Sequence, residues 1–151
     1  MNWAILELYC GESGKLGYYN SQELGLARAL SAKGISVTIV YPIKGLEQIE
    51  VQEAEPRIFV LRVPCRNLGV HAFYNLSFLM DRNIDVVHLD SDNQMYAPSV
   101  MKFCKKNGIF FYNYVGTIYS DTENTLKRQV LNIVSKRNIR YFKKLNLLEN
   151  C

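Results

Sequence analysis

The sequence predicts an α/β fold with a parallel, doubly wound sheet, and three observations support this. Short apolar segments alternate with segments of helical periodicity along the 151 residues, an order typical of βαβ units. Segments 35–41 and 109–115 are almost continuously apolar, β-branched or aromatic, as strands buried on both faces are. The length fits one domain. In such a sheet, ligands bind outside the carboxyl ends of the strands.

The predicted elements follow from this alternation. Strands are predicted at 3–9, 35–41, 57–63, 85–89 and 109–115, and helices at about 20–33, 71–83, 97–107 and 122–144. Residues 44–56 are polar and end in Pro56, so they are predicted to form a connecting loop. A sixth strand could start after Lys144, but we expect the chain to stop before this strand reaches its usual length. We therefore expect a domain over 1–144, without the last strand of its sheet, and a truncated tail over 145–151.

Composition excludes several classes of protein. Hydrophobic residues make up 48% and charged residues 21%, which is too apolar for a disordered chain. No apolar run reaches the roughly 18 residues of a membrane span, and the first residues do not resemble a signal peptide. The four cysteines form no C-x-x-C pair, so they are interpreted as reduced cytosolic thiols rather than as a disulfide framework or a zinc site. The expected location is the cytoplasm.

The positive charge of the chain is concentrated near its end. The formal net charge is +4, and residues 122–151 hold seven Lys and Arg against two Asp and Glu. In the predicted last helix, Leu126, Val130, Ile133, Val134 and Tyr141 share a face. A basic amphipathic helix over 127–144 can lie on an anionic membrane surface, and a simply solvated helix face is the alternative.

The stretch 10–34 contains the first candidate site. A glycine-bearing loop follows the first strand and leads into a helix for which Asn20 is a plausible N-cap and Glu23 the capping-box partner. Gly34 occupies the position of a C-cap glycine. Glycine lets a ligand approach the backbone closely, and a helix start favours an anion. A βα turn without a ligand remains the alternative interpretation.

Two common nucleotide motifs are excluded. The loop glycines do not have the G-x-G-x-x-G spacing, and the second strand ends in Tyr41-Pro42 without the acidic residue that holds a ribose. Gly14-Lys15 is followed by Leu16, so the loop is not a P-loop either.

Two more polar loops follow strands at the same predicted edge of the sheet. Asp90-Ser91-Asp92-Asn93 follows strand 85–89, and Gly116 to Asp121 follows strand 109–115. The first loop is interpreted either as turn and helix-capping chemistry or as a polar ligand site, with a magnesium or manganese site as a third reading. His88 is predicted to be a satisfied core histidine, and His71 is predicted to start a helix without an obvious partner.

The spacing of these stretches is similar to that of a known family. A glycine loop is followed by a helix core, a glycine and a strand, here Gly17-Tyr18 and then Leu26-Ala27-Arg28-Ala29-Leu30-Ser31-Ala32-Lys33-Gly34-Ile35-Ser36-Val37-Thr38. Asp85-Val86-Val87-His88 and Thr117-Ile118-Tyr119 match two further motifs. Over about residues 3–144 the chain resembles the N-terminal domain of the retaining GT-B glycosyltransferases of family 4.

The resemblance implies a fold and a function. It implies a Rossmann-like, acceptor-side half of an enzyme that moves a sugar from a nucleotide-sugar donor to a glycan or lipid-linked acceptor, as in polysaccharide biosynthesis at the cytosolic membrane face. The donor itself would be held by a C-terminal domain or a partner subunit. This chain alone is therefore expected to be inactive, to bind no cofactor or metal and to contact no nucleic acid.

The resemblance also assigns substrate-binding residues, although no catalytic residue. The Gly14–Gly17 loop would approach the donor diphosphate and the acceptor, and the other two loops would line the acceptor side. The assigned residues are Gly14, Gly17, Tyr18, Asn20, Asp90, Asp92, Asn93, Gly116, Thr117 and Tyr119. The sequence departs from the family at Tyr18, Ile35 and Tyr119, which stand where the family has glycine, histidine and histidine. The alternatives are a stand-alone membrane- or partner-binding module and a metal-dependent Asp-x-Asp transferase.

Overall fold

A computed structural model describes residues 1–10, 22–90, 94–114 and 124–144. The strands are β1 (Asn2–Leu6), β2 (Ser36–Lys44), β3 (Glu50–Glu55), β4 (Ile58–Leu68), β5 (His71–Phe73), β6 (Val86–Leu89) and β7 (Phe110–Asn113). The helices are α1 (Gln22–Ser31), α2 (Phe78–Asp81), α3 (Ala97–Lys106) and α4 (Thr125–Lys144).

The described strands form one mostly parallel sheet in the order β3-β4-β2-β1-β6-β7, with β5 paired to β4. The central strand β1 runs parallel to both of its neighbours, so that Ile5 lies between Ile39 of β2 and His88 of β6. Among the strands that the structure describes, only β3 and β5 are antiparallel to their partner strand. The sequence prediction of an α/β fold with a parallel sheet is confirmed.

The sheet is covered on both faces because side chains alternate along each strand. One core cluster contains Ile5 together with Leu24 and Ala27 of α1. The other contains Ala4 and Leu6 together with residues of α2, α3 and α4. Both faces of β1 are therefore buried, which explains why its sequence is apolar without alternation.

Helix α4 is fixed to the second face near its carboxyl end. Val134 and Phe142 are buried, and the Asn138 side chain donates a hydrogen bond of 2.8 Å to the backbone oxygen of Gln94. Among the described helices, none has the length and apolar character that a membrane crossing requires.

Two sequence predictions are wrong. Part of the predicted loop 44–56 forms β3, and most of the predicted helix 71–83 is replaced by β5 and the four-residue α2. Most of β3 is exposed, so its sequence lacks the alternation that marks a half-buried strand. β5 exists because β4 continues beyond the predicted end and turns back at Gly69, whose φ is +59°.

The end of α1 agrees with the predicted glycine C-cap. Gly34 has φ +82°, its N–H donates to Ser31 O at 2.9 Å, and the N–H of Ile35 donates to Leu30 O at 3.2 Å. A Cβ at Gly34 would lie 3.2 Å from Nη1 of Arg57, which donates a hydrogen bond to the Gly34 oxygen. The position therefore requires glycine for its backbone conformation and for space.

We expect Gly34→Ala to lower the free energy of unfolding by about 1–2 kcal/mol, because alanine is strained in the left-handed region. Gly25 lies inside α1, and a Cβ added there would have no other atom within 4 Å. Gly25→Ala should therefore raise the stability by about 0.5–1 kcal/mol. Urea unfolding of both variants measures the difference, and a change of the same sign in both would contradict the assignment of the cap.

Candidate functional site

The candidate site is formed by side chains from the neighbouring strands β1 and β6. Because side chains two residues apart on a strand lie on the same face of the sheet, those at the ends of both strands point to the same side. Ile5 and the residue two positions on, Glu7, project toward the face that α1 covers. His88 is paired with Ile5 across β1 and β6, and Asp90 follows it by two residues. The backbone of Glu7 is held by an N–H bond of 3.1 Å to Val40 and by the Tyr74 hydroxyl, which donates to the Glu7 oxygen at 2.9 Å.

Three carboxyl groups meet at this edge of the sheet. Glu7 follows β1, Glu23 lies in the first turn of α1, and Asp90 follows β6; one oxygen from each lies within 4.8 Å of the others. All three are partly buried. We call them the carboxyl cluster. Three negative charges at such distances repel strongly, so the cluster is expected to retain at least one proton.

Within the carboxyl cluster, the pKa values of Glu7 and Asp90 are shifted in opposite directions. Burial, reinforced by hydrogen bonds and charge repulsion from Glu23 and Asp90, raises the pKa of Glu7 from 4.5 to about 10. Burial also acts to raise the pKa of Asp90, but the nearby His88 ring and hydrogen bonds with Glu7 and Glu23 outweigh it and lower that pKa below its ordinary value. At neutral pH, Glu7 therefore carries a proton that it can donate, while Asp90 is an anion that accepts hydrogen bonds.

His88 connects the carboxyl cluster to the aromatic side of the site. Its Nε2 lies 3.7 Å from Oδ1 of Asp90, and its ring packs on Tyr112 with centroids 4.6 Å apart. The ring is buried, as predicted for a core histidine. It is not fully satisfied, however, because Nδ1 has no hydrogen-bond partner among the described residues.

A surface pocket of about 290 Å³ opens beside this cluster. It is lined by Gln22, Glu23, Leu26, His88, Asp90, Tyr112 and Tyr114. Three of these residues border the predicted polar loops. Gln22 is the first residue of α1 and follows the glycine loop, Asp90 begins the second loop, and Tyr114 comes shortly before the third. The described ends of all three loops therefore meet at one edge of the sheet.

Of the predicted substrate-binding residues, the structure describes Asp90, and it places Asp90 in this pocket. The others lie outside the described residues: Gly14, Gly17, Tyr18, Asn20, Asp92, Asn93, Gly116, Thr117 and Tyr119. Their assignment stays a prediction.

The sequence prediction missed Glu7 and gave Glu23 only a capping role. The sequence did contain a signal for Glu7. It is the one charged residue of the apolar segment 3–9, and it lies two residues after Ile5, so that both side chains share a face of the strand. The prediction for His71 is wrong, because it lies in β5 and its Nδ1 forms a hydrogen bond with Oε1 of Gln94. His71 thus has a structural partner outside the pocket.

The arrangement can recognise hydroxyl groups. The Asp90 carboxylate is a hydrogen-bond acceptor, and the protonated Glu7 is hydrogen-bonded to it. Tyr112 and Tyr114 add flat aromatic surfaces at the pocket wall. Oxygen ligands such as those of the carboxyl cluster also suit Mg²⁺ or Mn²⁺. Binding an ion there would require Glu7 to lose the proton that its surroundings stabilise.

Comparison of the sequence with protein-family models and with curated proteins gives no match. Among solved structures, a sucrose-phosphate synthase from Thermosynechococcus elongatus is similar over 91% of this chain, with a TM-score of 0.57 and 11% sequence identity. The similarity shows a shared fold. The chain spans 40% of the length of that protein. The resemblance to glycosyltransferases is therefore supported at the level of the fold, together with the Rossmann-like class.

We expect Glu7→Gln to change how stability depends on pH. A folded-state pKa above the unfolded value stabilises the protein below the unfolded pKa, and this stabilisation is lost as pH rises toward the folded pKa. The wild type should therefore lose stability relative to Glu7→Gln between about pH 5 and pH 9, by at most about 1.4 kcal/mol per pH unit. Urea unfolding over this range measures the difference.

The control for this experiment is Glu50→Gln, since Glu50 is exposed on β3. Its stability should follow the wild type at every pH. Parallel curves for the wild type and Glu7→Gln would show that Glu7 does not hold a proton in the folded state.

Proposed function

We propose that the chain is the acceptor-side domain of a glycosyltransferase, one that moves a sugar from a nucleotide-sugar donor to a glycan or lipid-linked acceptor. The proposal joins the sequence resemblance to the GT-B enzymes of family 4 with a fold shared with part of a sucrose-phosphate synthase. Fold alone does not determine activity, so the support has to come from the site.

The observation that carries the proposal is the pocket at the carboxyl ends of β6 and β7. Ligands of open α/β sheets bind at this edge, and the pocket combines an anionic acceptor, Asp90, with the rings of Tyr112 and Tyr114. Sugars present hydroxyl groups around a ring whose C–H faces are apolar, so they suit a carboxylate beside aromatic surfaces. The volume of about 290 Å³ fits one sugar unit better than a whole nucleotide sugar.

In this proposal, Asp90 accepts a hydrogen bond from an acceptor hydroxyl, and His88 holds the carboxylate in place from the sheet side. Nε2 of His88 lies 3.7 Å from Oδ1 of Asp90. Glu7 keeps its proton and positions Asp90 through a hydrogen bond. The glycine loop and the predicted residues at 116–119 would complete the site from outside the described residues.

The donor would be bound elsewhere. A chain that spans 40% of the sucrose-phosphate synthase leaves room for a second domain or a partner subunit that holds the nucleotide sugar. A helix start favours an anion, which is compatible with a diphosphate that reaches this edge from the other domain.

We expect the chain to bind acceptor glycans weakly and nucleotide sugars not at all. Saturation-transfer NMR with a panel of glycans, lipid-linked acceptor analogues and nucleotide sugars tests both points. Asp90→Asn should weaken glycan binding at least tenfold, because a hydrogen bond to a charged group is worth about 1.5–3 kcal/mol. The matched control is Asp81→Asn in α2, which lies outside the pocket. The proposal would be contradicted if nucleotide sugars bind and no glycan does. It would also be contradicted if Asp90→Asn and Asp81→Asn weaken glycan binding equally.

A second candidate function rests on the exposed face of α4. Three members of the predicted apolar face, Leu126, Val130 and Ile133, are 72%, 51% and 65% exposed, whereas a fourth, Val134, is buried. The same stripe continues at helical spacing into the exposed basic residues Arg137, Arg140 and Lys144. An apolar half followed by a basic half suits an anionic membrane surface. Such peripheral binding at the cytosolic face would also bring a lipid-linked acceptor near the pocket.

We expect the chain to sediment with vesicles that contain anionic lipid and to be released by salt. Neutralising Arg137, Arg140 and Lys144 with glutamine should reduce the bound fraction several-fold, because each basic residue near the surface contributes about 1 kcal/mol. Replacing Lys33, Lys44 and Lys106, which are exposed on other elements, removes the same charge and should have a much smaller effect. Equal losses in both triple variants would indicate an effect of net charge alone.

A further inference from the structure

Two of the cysteines, 55 residues apart in sequence, meet in the fold. The Sγ atoms of Cys10 and Cys65 lie 3.6 Å apart, and both thiols are unbonded and partly exposed. The sequence offers no sign of this contact, because the residues belong to no C-x-x-C motif and come from distant segments. Cys104, in contrast, is fully buried in α3.

The backbone around both thiols is well fixed. The N–H of Cys10 donates to Val70 O at 2.9 Å, and Tyr9 forms an antiparallel bridge with His71, so the segment after β1 is attached to the β4–β5 hairpin. Cys65 lies in β4 itself, opposite Lys44 of β2. The contact between the sulfur atoms is therefore set by paired backbone on both sides, and a disulfide would shorten their separation from 3.6 Å to about 2.05 Å.

Cys65 is also reachable from solvent. It lines a surface pocket of about 530 Å³ together with Leu46, Pro64, Arg66, Phe73, Tyr74, Asn75 and Tyr96. A small oxidant can enter such a pocket. Oxidation of cysteines follows exposure and thiolate character, so this pair is more accessible to an oxidant than the buried Cys104.

We propose that Cys10 and Cys65 are a redox modification site, at which hydrogen peroxide converts the two thiols to an intramolecular disulfide. The thiolate of Cys10 attacks one oxygen of the peroxide, the O–O bond breaks, and the hydroxide that leaves is protonated to water. The Cys10 sulfenic acid is then attacked by the sulfur of Cys65. The S–O bond breaks, and the leaving hydroxide takes the thiol proton of Cys65 as a second water. A small dithiol reverses the bond by exchange.

The order of the two cysteines follows from their surroundings. Burial and the contact with Cys10 raise the pKa of the Cys65 thiol to about 12, which keeps it protonated and slow toward peroxide at neutral pH. Cys65 therefore acts second, when the sulfenic acid is already in contact with it. In a reducing compartment the bond would form only when peroxide is present.

Both cysteines pack against the core cluster on the face of the sheet that α1 does not cover. Cys10 is the last described residue before the segment 11–21 that contains the predicted glycine loop, and Glu7 of the carboxyl cluster lies three residues earlier. A disulfide would link Cys10 covalently to β4. It would close a large loop of the chain and thus restrict the unfolded state, which stabilises the folded one.

The experiment treats the full chain with a small excess of hydrogen peroxide, blocks remaining thiols, and maps peptides by mass spectrometry without reduction. The expected product is a monomer lighter by two hydrogen atoms, with one cross-linked peptide pair that contains Cys10 and Cys65. Its melting temperature should rise by about 5 °C or more, and a dithiol should reverse the change.

Three variants distinguish this step from general oxidation. Cys104→Ser should still form the bond, whereas Cys10→Ser should not. Cys65→Ser should stop at a sulfenic acid on Cys10 that a dimedone probe labels. A cross-link that joins other cysteines, a bond only between two chains, or a wild type whose Cys10 and Cys65 stay free thiols would each overturn the proposal. Because the wild-type mapping is decisive alone, the test does not depend on the folding of any variant.

Discussion

The structure depends on the position of β1 between two parallel neighbours, with both of its faces buried. Its hydrogen bonds connect β2 to β6, so the two halves of the sheet are joined through five residues. The same strand determines which side chains reach the site, because Ile5 and Glu7 share a face and Ala4 and Leu6 share the other. A shift of β1 by one residue would bury Glu7 in the opposite core and dissolve the carboxyl cluster.

Burying a carboxyl group at the end of such a strand has a chemical result. An isolated charge would be costly there, and the chain avoids that cost by keeping Glu7 protonated beside two other carboxyl groups. The proton that makes burial tolerable is also a hydrogen-bond donor, and it allows Asp90 to remain an anion close to His88. The proton on Glu7 thus determines both how much its burial costs and the polarity of the pocket.

The sequence predicted the parallel strands well, because strands buried on both faces have apolar runs that few other structures produce. It predicted α1, α3 and α4 within a few residues from periodicity and from Gly34. It failed at β3 and β5, since antiparallel additions to a sheet are set by pairing with β4 and leave no clear local pattern. For the site, it found Asp90 but not Glu7 or Glu23, because the cluster is formed by contacts between three distant segments. The meeting of Cys10 and Cys65 was unpredictable for the same reason.

The acidic strand β3 has a consequence for the molecule as a whole. It forms one border of the sheet, carries Glu50, Glu53 and Glu55, and is attached to α1 by the Arg28–Glu55 ion pair at 2.6 Å. A border strand with free N–H and C=O groups can recruit strands of other molecules and start aggregation. The negative charges of β3 repel a second copy of the same border, and charged residues on such strands are a common protection in natural β proteins. The segment that looked like a polar loop therefore helps to keep copies of the protein apart at high concentration.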